Sequence, residues 1–121
     1  MSTRCPTGSA PLDLSLFSTR LAGDINLMRE LATLYIAEYP RQLEELRAAA
    51  SSCDSRRLRL TAHTIRGTAT NFAAAAALQA AKVLEEMGEL GNASNSADAV
   101  ETLTFELHRL HVALEAFLAN S

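Results

Sequence analysis

The sequence predicts an all-α protein, an antiparallel up-and-down four-helix bundle with a short extra helix at its N-terminal end. Apolar residues recur at alternating steps of three and four along four long segments, which is the period of one helix face. Hydrophobic residues make up 48% of the chain but aromatic residues only 5%, so the core must consist mainly of Leu and Ala. No run shows the valine- and isoleucine-rich alternation of a strand. The short connections favour an up-and-down arrangement.

Two aspartates mark the beginnings of the first two helices. Asp13 is predicted to cap a short helix that is broken by Gly23, and Asp24 to cap a long second helix, because an aspartate accepts hydrogen bonds from unpaired amides in the first turn. Pro40 lies inside the second helix. Since proline lacks an amide proton and crowds the preceding turn, it should kink or split the helix there. We predict a kink, because the apolar period resumes at once.

The third helix is predicted to begin at the cap residue Asp54 and to end near residues 72–74. A run of five alanines at positions 73–77 follows it. Because alanine favours the helix, the boundary between the third and fourth helices stays open at this point.

Glycine and asparagine residues indicate the remaining helix boundaries. Gly91 and Asn92 are predicted to end the fourth helix, and Asn95, followed three residues later by Asp98, to open the last one. The apolar residues of this last helix form a seam typical of a bundle helix or, less favoured, of a coiled-coil dimer. The seam consists of Val100, Leu103, Leu107, Leu110, Leu114 and Phe117.

Length and charge limit the classes of protein to consider. The 121 residues fit one domain, predicted at residues 12–121 after a flexible tail at residues 1–11. The net charge of −3 argues against nucleic-acid binding. No signal peptide and no apolar run long enough to span a membrane is evident, so we expect a cytoplasmic chain without direct membrane contact, either on its own or as a domain of a membrane-attached sensor kinase. We also expect a monomer. Cys5 and Cys53 show no disulfide or zinc pattern and are expected to be free thiols.

A histidine stands out on the third helix. At about 100° per residue, His63 points about 140° away from the centre of the helix's apolar stripe, so it should face solvent. Arg59 and Gly67 lie one turn before and after it, with Arg66 and Thr70 beside them. The stripe itself consists of Leu58, Ala62, Ile65, Ala69 and Phe72. An exposed imidazole close to positive charge suggests a nucleophile that accepts a phosphoryl group.

The neighbours of His63 support this interpretation. Arg66 can lie along the same side of the helix and offset the charge of a phosphoryl group. Gly67 costs about 1 kcal/mol relative to alanine inside a helix, and room for a partner would explain it. Leu60 falls about 160° from the stripe centre, so we expect it to be exposed and, with Arg59 and Thr70, to form a docking surface.

Three short motifs resemble the histidine-containing phosphotransfer (HPt) domain of bacterial multistep phosphorelays. The family pattern Ala-His-x-Leu-Lys-Gly, then Asn-Phe/Leu-Gly-Ala, then Leu-Glu reads here as residues 62–67, 71–74 and 84–85. Two departures from this pattern, at Arg66 and Ala73, are of interest. Arg66 replaces a lysine, which keeps the charge but changes the donor geometry. Ala73 replaces a glycine, so we expect a less sharp turn there or a longer helix.

The resemblance implies a role for the chain in a phosphorelay. His63 would accept a phosphoryl group from the receiver-domain aspartate of a hybrid sensor histidine kinase and pass it to the aspartate of a response regulator. Glu85 would accept a hydrogen bond from the ring nitrogen that is not phosphorylated, leaving Nε2 to attack. The partner receiver would supply Mg²⁺, and the chain would need no cofactor of its own.

The sequence shows no Gly-rich or Walker-type phosphate loop and leaves no room for an ATP-binding domain, so we expect a phosphoryl carrier without autokinase activity. Two other classes remain as alternatives. The first is a non-catalytic helical interaction module that dimerises through Leu103, Leu110 and Phe117. The second, a metal-binding four-helix protein, lacks paired Glu-x-x-His motifs. His108 and His111, three residues apart, are a weak metal signal and are expected to be surface residues.

Overall fold

The computed structural model describes residues 10–120, so Cys5 and most of the predicted tail lie outside the described residues. Within this range the chain is helical and has no strand, which confirms the all-α prediction. A short 3-10 turn at Ala93–Asn95 separates the last two helices. The five helices are α1 (Leu14–Arg20), α2 (Ile25–Ser51), α3 (Ser55–Asn71), α4 (Ala75–Glu89) and α5 (Ala97–Asn120).

The predicted aspartate caps are confirmed. Asp13, Asp24 and Asp54 each accept a hydrogen bond of 3.0 Å from the backbone amide three residues further on. Each bond satisfies an amide that has no partner inside the helix. The second helix continues through Pro40 without splitting, as the resumed apolar period predicts.

The ends of four helices share one pattern of backbone hydrogen bonds. After α3, the Ala74 amide donates to the Ala69 carbonyl at 2.8 Å and the Ala73 amide donates to the Thr70 carbonyl at 3.1 Å. This is a Schellman motif, in which the residue after the C-cap adopts a left-handed conformation. Equivalent bonds close α1, α2 and α4. The left-handed residues that directly follow these four C-caps are Ala22, Cys53, Ala73 and Gly91.

The expectation for Ala73 is therefore wrong. The helix α3 ends at Asn71, and Ala73 makes the tight turn itself with φ of 53°. Replacing the family's glycine by alanine neither softens the turn nor extends the helix. The turn's two backbone hydrogen bonds and the packing around it outweigh the steric cost of a left-handed alanine, which is about 1–2 kcal/mol.

The start of α5 differs by one residue from the prediction. The 3-10 turn takes up Asn95, so Ser96 rather than Asn95 precedes the helix. Ser96 is fully buried, and its hydroxyl donates to the Ala93 carbonyl at 2.6 Å. Its carbonyl accepts the first helical hydrogen bond, from Val100. Asp98 lies in the first turn, where a negative charge is favourable.

The predicted apolar faces meet in one core. Every residue of the α3 stripe is at most 4% exposed, and most of the α5 seam is as deeply buried. Leu103 and Leu110 are fully buried within this one chain, and Phe117 packs against Phe17 with ring centroids 6.3 Å apart. The seam proposed for dimerisation is thus occupied inside the bundle, and the dimer alternative through this seam is wrong.

The short helix α1 covers one end of the bundle. Phe17 is fully buried, and its ring centroid lies 5.1 Å from that of Phe72. The Asp13 amide donates to the Ala73 carbonyl at 3.2 Å, and the Arg20 guanidinium donates to the Thr70 carbonyl. These contacts attach α1 to the turn between α3 and α4 and so brace the end of the helix that carries His63.

Helices α3 and α4 approach each other very closely at Gly88. A Cβ atom added there would lie 2.7 Å from the backbone nitrogen of Arg59 and 2.8 Å from its Cα. Only a glycine permits this approach, because real Cβ atoms are not found so near a backbone. The contact fixes the spacing of the two helices on which the candidate site lies.

Candidate functional site

His63 lies near the middle of α3, and its side chain is 60% exposed. Ala62 and Ile65, the residues of the predicted stripe nearest to it in the sequence, are fully buried. The imidazole is thus presented to solvent by a helix whose opposite face is fixed in the core, as the helical phase predicts.

Glu85 on α4 reaches the imidazole. Its Oε2 atom lies 2.8 Å from Nδ1 of His63, and its side chain is only 14% exposed. An ionised carboxylate can only accept hydrogen bonds, so Nδ1 must carry the proton and donate it. In a neutral imidazole this tautomer leaves the lone pair on Nε2. The arrangement therefore orients the ring and leaves Nε2 as the nucleophilic nitrogen.

Arg66 contacts the same carboxylate. Its Nε atom lies 3.0 Å from Oε1 of Glu85, while an Nη atom lies 3.4 Å from Nδ1 of His63. Because Nδ1 already donates to Glu85, the second contact is one of proximity only. The guanidinium is thus ion-paired with the other oxygen of the carboxylate, although no hydrogen bond within residues 10–120 reaches that oxygen. The role predicted for Arg66, to offset the charge of a phosphoryl group, stays a prediction.

Gly67 opens the surface beside His63. A Cβ atom added at this position would meet nothing within 4 Å. No close approach and no positive φ within the bundle requires a glycine here, in contrast to Gly88. The fold itself therefore offers no steric reason for this residue.

The three predicted docking residues have different environments. Leu60 is 46% exposed, as its phase predicts. Thr70 is exposed, but its hydroxyl donates to the Arg66 carbonyl at 3.0 Å. Arg59 is half-buried, and its backbone lies against α4 at Gly88. All three lie on the helix that carries His63, and their role in docking stays a prediction.

Two further arginines, Arg56 and Arg57, lie in the first turn of α3. Arg56 is exposed. Arg57 donates to Glu45 on α2 at 2.8 Å, and this hydrogen bond lowers the pKa of the Glu45 carboxyl below its usual value. Arg57 thus forms an ion pair between α2 and α3 on the surface of the bundle.

Sequence reasoning missed three residues near His63. A shallow depression beside the imidazole is lined by His63, Arg66, Gly67 and Thr70 together with Asn71, Leu78 and Lys82. Lys82 was detectable in the sequence, because it precedes Glu85 by three residues and so lies on the same face of α4. Asn71 was detectable in the same way, because it follows Gly67 by four residues on α3. The position of Leu78 depends on how the turn between α3 and α4 folds back, which helical phase does not show.

The two histidines of α5 lie away from this site. His108 Nδ1 is 3.4 Å from the Tyr39 hydroxyl, and the ring of His111 stacks on Tyr39 with centroids 4.6 Å apart. His111 is also half-buried, unlike the surface residue expected, because its ring fills the space beside Tyr39. Residues 10–120 hold no group of three or more His, Cys, Asp or Glu side chains arranged for a metal ion.

The fold and the site together define an all-helical bundle that presents a carboxylate-oriented histidine. The model of the Hpt domain family matches residues 30–119. Two solved structures are similar in fold. Histidine-containing phosphotransfer protein B from Pseudomonas aeruginosa has a TM-score of 0.84 at 23% identity, covering 93% of this chain and 99% of that one. The HPT domain of a sensor hybrid histidine kinase from Shewanella has a TM-score of 0.83 at 17% identity, covering 93% and 97%.

The chain belongs to the Hpt domain family, because the match spans well over half of its length. Membership gives it a role in histidine phosphotransfer within phosphorelays, in which Hpt domains interact with receiver domains. A comparison with curated protein sequences finds no match. Over residues 10–120, none of the helices combines the length and the apolar character needed to cross a membrane.

Proposed function

We propose that His63 accepts a phosphoryl group from the phosphoaspartate of a receiver domain and passes it to the aspartate of a response regulator. The observation that carries this proposal is the 2.8 Å contact between Nδ1 of His63 and Glu85, on an imidazole whose side chain is 60% exposed. Family membership supports a role in histidine phosphotransfer. The contact with Glu85 supports His63 rather than His108 or His111.

The transfer step follows from this geometry. The Nε2 lone pair of His63 attacks phosphorus, an N–P bond forms, and the P–O bond to the partner's aspartate breaks with its electron pair left on the carboxylate oxygen. The proton stays on Nδ1, so the ring acquires positive charge. The Glu85 carboxylate, hydrogen-bonded to Nδ1, stabilises that charge as it develops. In the onward transfer the same bonds change in reverse with a different aspartate.

The chain supplies only part of what the reaction needs. Phosphoryl transfer depends mainly on positioning and on neutralising charge. We propose that the receiver partner contributes Mg²⁺ and the acidic pocket, while this domain contributes the imidazole that Glu85 orients, with Arg66 ion-paired to that carboxylate. The protein would then act as a phosphoryl carrier in the cytoplasm rather than as an autokinase.

The docking surface follows from the positions around His63. Gly67 leaves the approach to the ring open, and Leu60 provides exposed apolar area on the same helix. Apolar contact at the centre of an interface with polar groups around it is the usual arrangement of a specific surface. We propose that Leu60, Arg59 and Thr70 contact the receiver while Nε2 points into its active site.

Phosphorylation by a purified receiver tests this proposal. The protein is incubated with a phosphorylated receiver, and the labelled product is exposed to acid and to alkali. We expect alkali-stable, acid-labile label on the wild type, none on His63→Gln, and undiminished label on His108→Gln. Absence of label on the wild type with several receivers would instead favour an interaction module without phosphotransfer. Label retained by His63→Gln would assign the acceptor to another residue.

A further inference from the structure

The cation expected to neutralise the phosphoryl group is engaged elsewhere in this structure. Arg66 lies 3.0 Å from Oε1 of Glu85, and one of its Nη atoms lies 3.4 Å from Nδ1 of the imidazole, the nitrogen that does not react. In that position the guanidinium stabilises the carboxylate. Nε2, on the other side of the ring, needs a different source of positive charge.

The register between α3 and α4 places a second cation close to the site. Arg59 lies against Gly88, and one turn further along α3, His63 contacts Glu85. The two helices are therefore antiparallel here. A move of four residues forward along α3 corresponds to a move of three residues back along α4. The next step pairs Gly67 with Lys82. Both residues line the depression beside His63, in agreement with this register.

Lys82 has the properties that a phosphoryl-binding cation requires. It is the only lysine in the chain, it is exposed, and no ion pair within residues 10–120 engages it. Its ammonium group is a compact charge with three donors on a flexible stem, which can follow a group that arrives and leaves. The space above Gly67 is open, so a phosphoryl group on His63 would be accessible from Lys82.

We propose that Lys82 binds the phosphoryl group on Nε2 of His63, while Arg66 acts as a positioning residue that holds Glu85. This division of roles rests on the proposed function. It implies that Lys82 contributes mainly to the phosphorylated state, whereas Arg66 contributes to the orientation of the ring in both states. The two cations next to His63 are therefore not interchangeable.

The ionisation of the phosphoryl group itself separates the two roles. The protein is phosphorylated with phosphoramidate, whose P–N bond breaks to release ammonia as the bond to His63 forms, so that no receiver is needed. The ³¹P chemical shift of the phosphohistidine is then followed with pH. A cation in contact with the phosphoryl oxygens favours their doubly ionised form and so lowers the second pKa of the group.

We expect Lys82→Gln to raise this second pKa by about half a unit, since a partly exposed charge pair is worth up to about one pKa unit. Lys82→Arg should restore most of the shift. Arg47→Gln, which removes one exposed charge from α2, should leave the value unchanged. Arg66→Gln should alter the Nδ1–H resonance of His63 more than the phosphoryl pKa.

The outcomes distinguish this inference from the function on which it rests. If the wild type is labelled on His63 but Lys82→Gln has the wild-type phosphoryl pKa, the role of Lys82 is wrong and the proposed function stands. The same holds if Arg66→Gln, and not Lys82→Gln, raises the pKa. If His63 of the wild type takes no label from phosphoramidate or from a receiver, the proposed function itself fails.

Discussion

Two glycines inside helices mark two regions of this protein, and they are there for opposite reasons. Gly88 lies where α4 touches the backbone of α3, so close that a Cβ atom would be 2.7 Å from Arg59. Gly67 lies on the open side of α3, where a Cβ atom would meet nothing within 4 Å. Each glycine costs about 1 kcal/mol relative to alanine in a helix. At Gly88 the fold explains that cost, and at Gly67 it does not.

The comparison shows how the fold and the site depend on each other. The close approach at Gly88 brings α4 near enough for Glu85 to reach the imidazole one turn away. Glu85 thus reaches His63 because the glycine at position 88 lets the two helices lie close together. The glycine at position 67 has no such structural task, so we attribute it to the approach of a partner.

The largest expected effect on stability comes from adding a methyl group at the close contact. Gly88→Ala should lower the free energy of unfolding by about 2 kcal/mol, because a Cβ pressed against backbone atoms forces the helices apart and outweighs the gain in helix propensity. Chemical denaturation of both proteins measures the difference. An alanine variant as stable as the wild type would show that the two helices are not held at this distance.

Removing the carboxylate of Glu85 tests the role of the contact that the close packing of α3 and α4 makes possible. Glu85→Ala should slow phosphorylation of His63 by about 10- to 100-fold, because a hydrogen bond to a charged partner is worth about 1.5–3 kcal/mol. The Nδ1–H tautomer, observed by ¹⁵N NMR of the ring, should lose its dominance. Glu86→Ala, which removes the adjacent exposed carboxylate, is the control. Unaltered rate and tautomer would remove Glu85 from the mechanism.

Adding a methyl group at Gly67, on the open side of α3, tests whether this glycine serves the approach of a partner. Gly67→Ala should raise the free energy of unfolding by about 1 kcal/mol, since alanine is the better helix former and meets no other atom there. Transfer from a receiver should nevertheless become slower, while labelling by phosphoramidate should change little. Thr64→Ala, also exposed on α3, provides a comparison that adds no atom near the ring. Undiminished transfer from receivers would leave Gly67 without an explanation.

The smallest expected effect on stability concerns Ala73, which stands where the family pattern has a glycine. Ala73 adopts a φ of 53°, which an alanine tolerates at a steric cost that glycine avoids. Ala73→Gly should raise the free energy of unfolding by about 0.5–1 kcal/mol, after the greater entropy of glycine in the unfolded chain is allowed for. Ala76→Gly, inside α4, should have the opposite sign. A destabilising effect at Ala73 would mean that its methyl group contributes packing that offsets the strain.

The sequence alone was enough to predict those features of the structure that depend on local chemistry. Asp13, Asp24 and Asp54 cap helices because of their side chains alone, and the buried stripe of α3 follows from its period, which also places His63 in solvent. The contact between His63 and Glu85 was expected only through the resemblance to a family, since no local rule joins residues 22 positions apart.

What the sequence could not show depends on tertiary contacts. A left-handed Ala73 is unfavourable by propensity, and it is imposed by the two helices that the turn must connect. The preference of Arg66 for Glu85 over the open side of the ring depends on where α4 lies. The proximity of Lys82 to Gly67 likewise depends on the register that Gly88 and Arg59 establish.

The central claim is that Glu85 holds the proton on Nδ1 of His63 and leaves Nε2 to react. The most direct test is to identify the ring nitrogen that carries the phosphoryl group in the phosphorylated protein. Two-dimensional NMR of ¹⁵N-labelled protein, phosphorylated by a receiver, identifies which ring nitrogen of His63 is coupled to phosphorus. We predict coupling to Nε2, with the Nδ1 proton retained. Coupling to Nδ1 would contradict the claim, because the nitrogen in contact with Glu85 would then be the one that reacts.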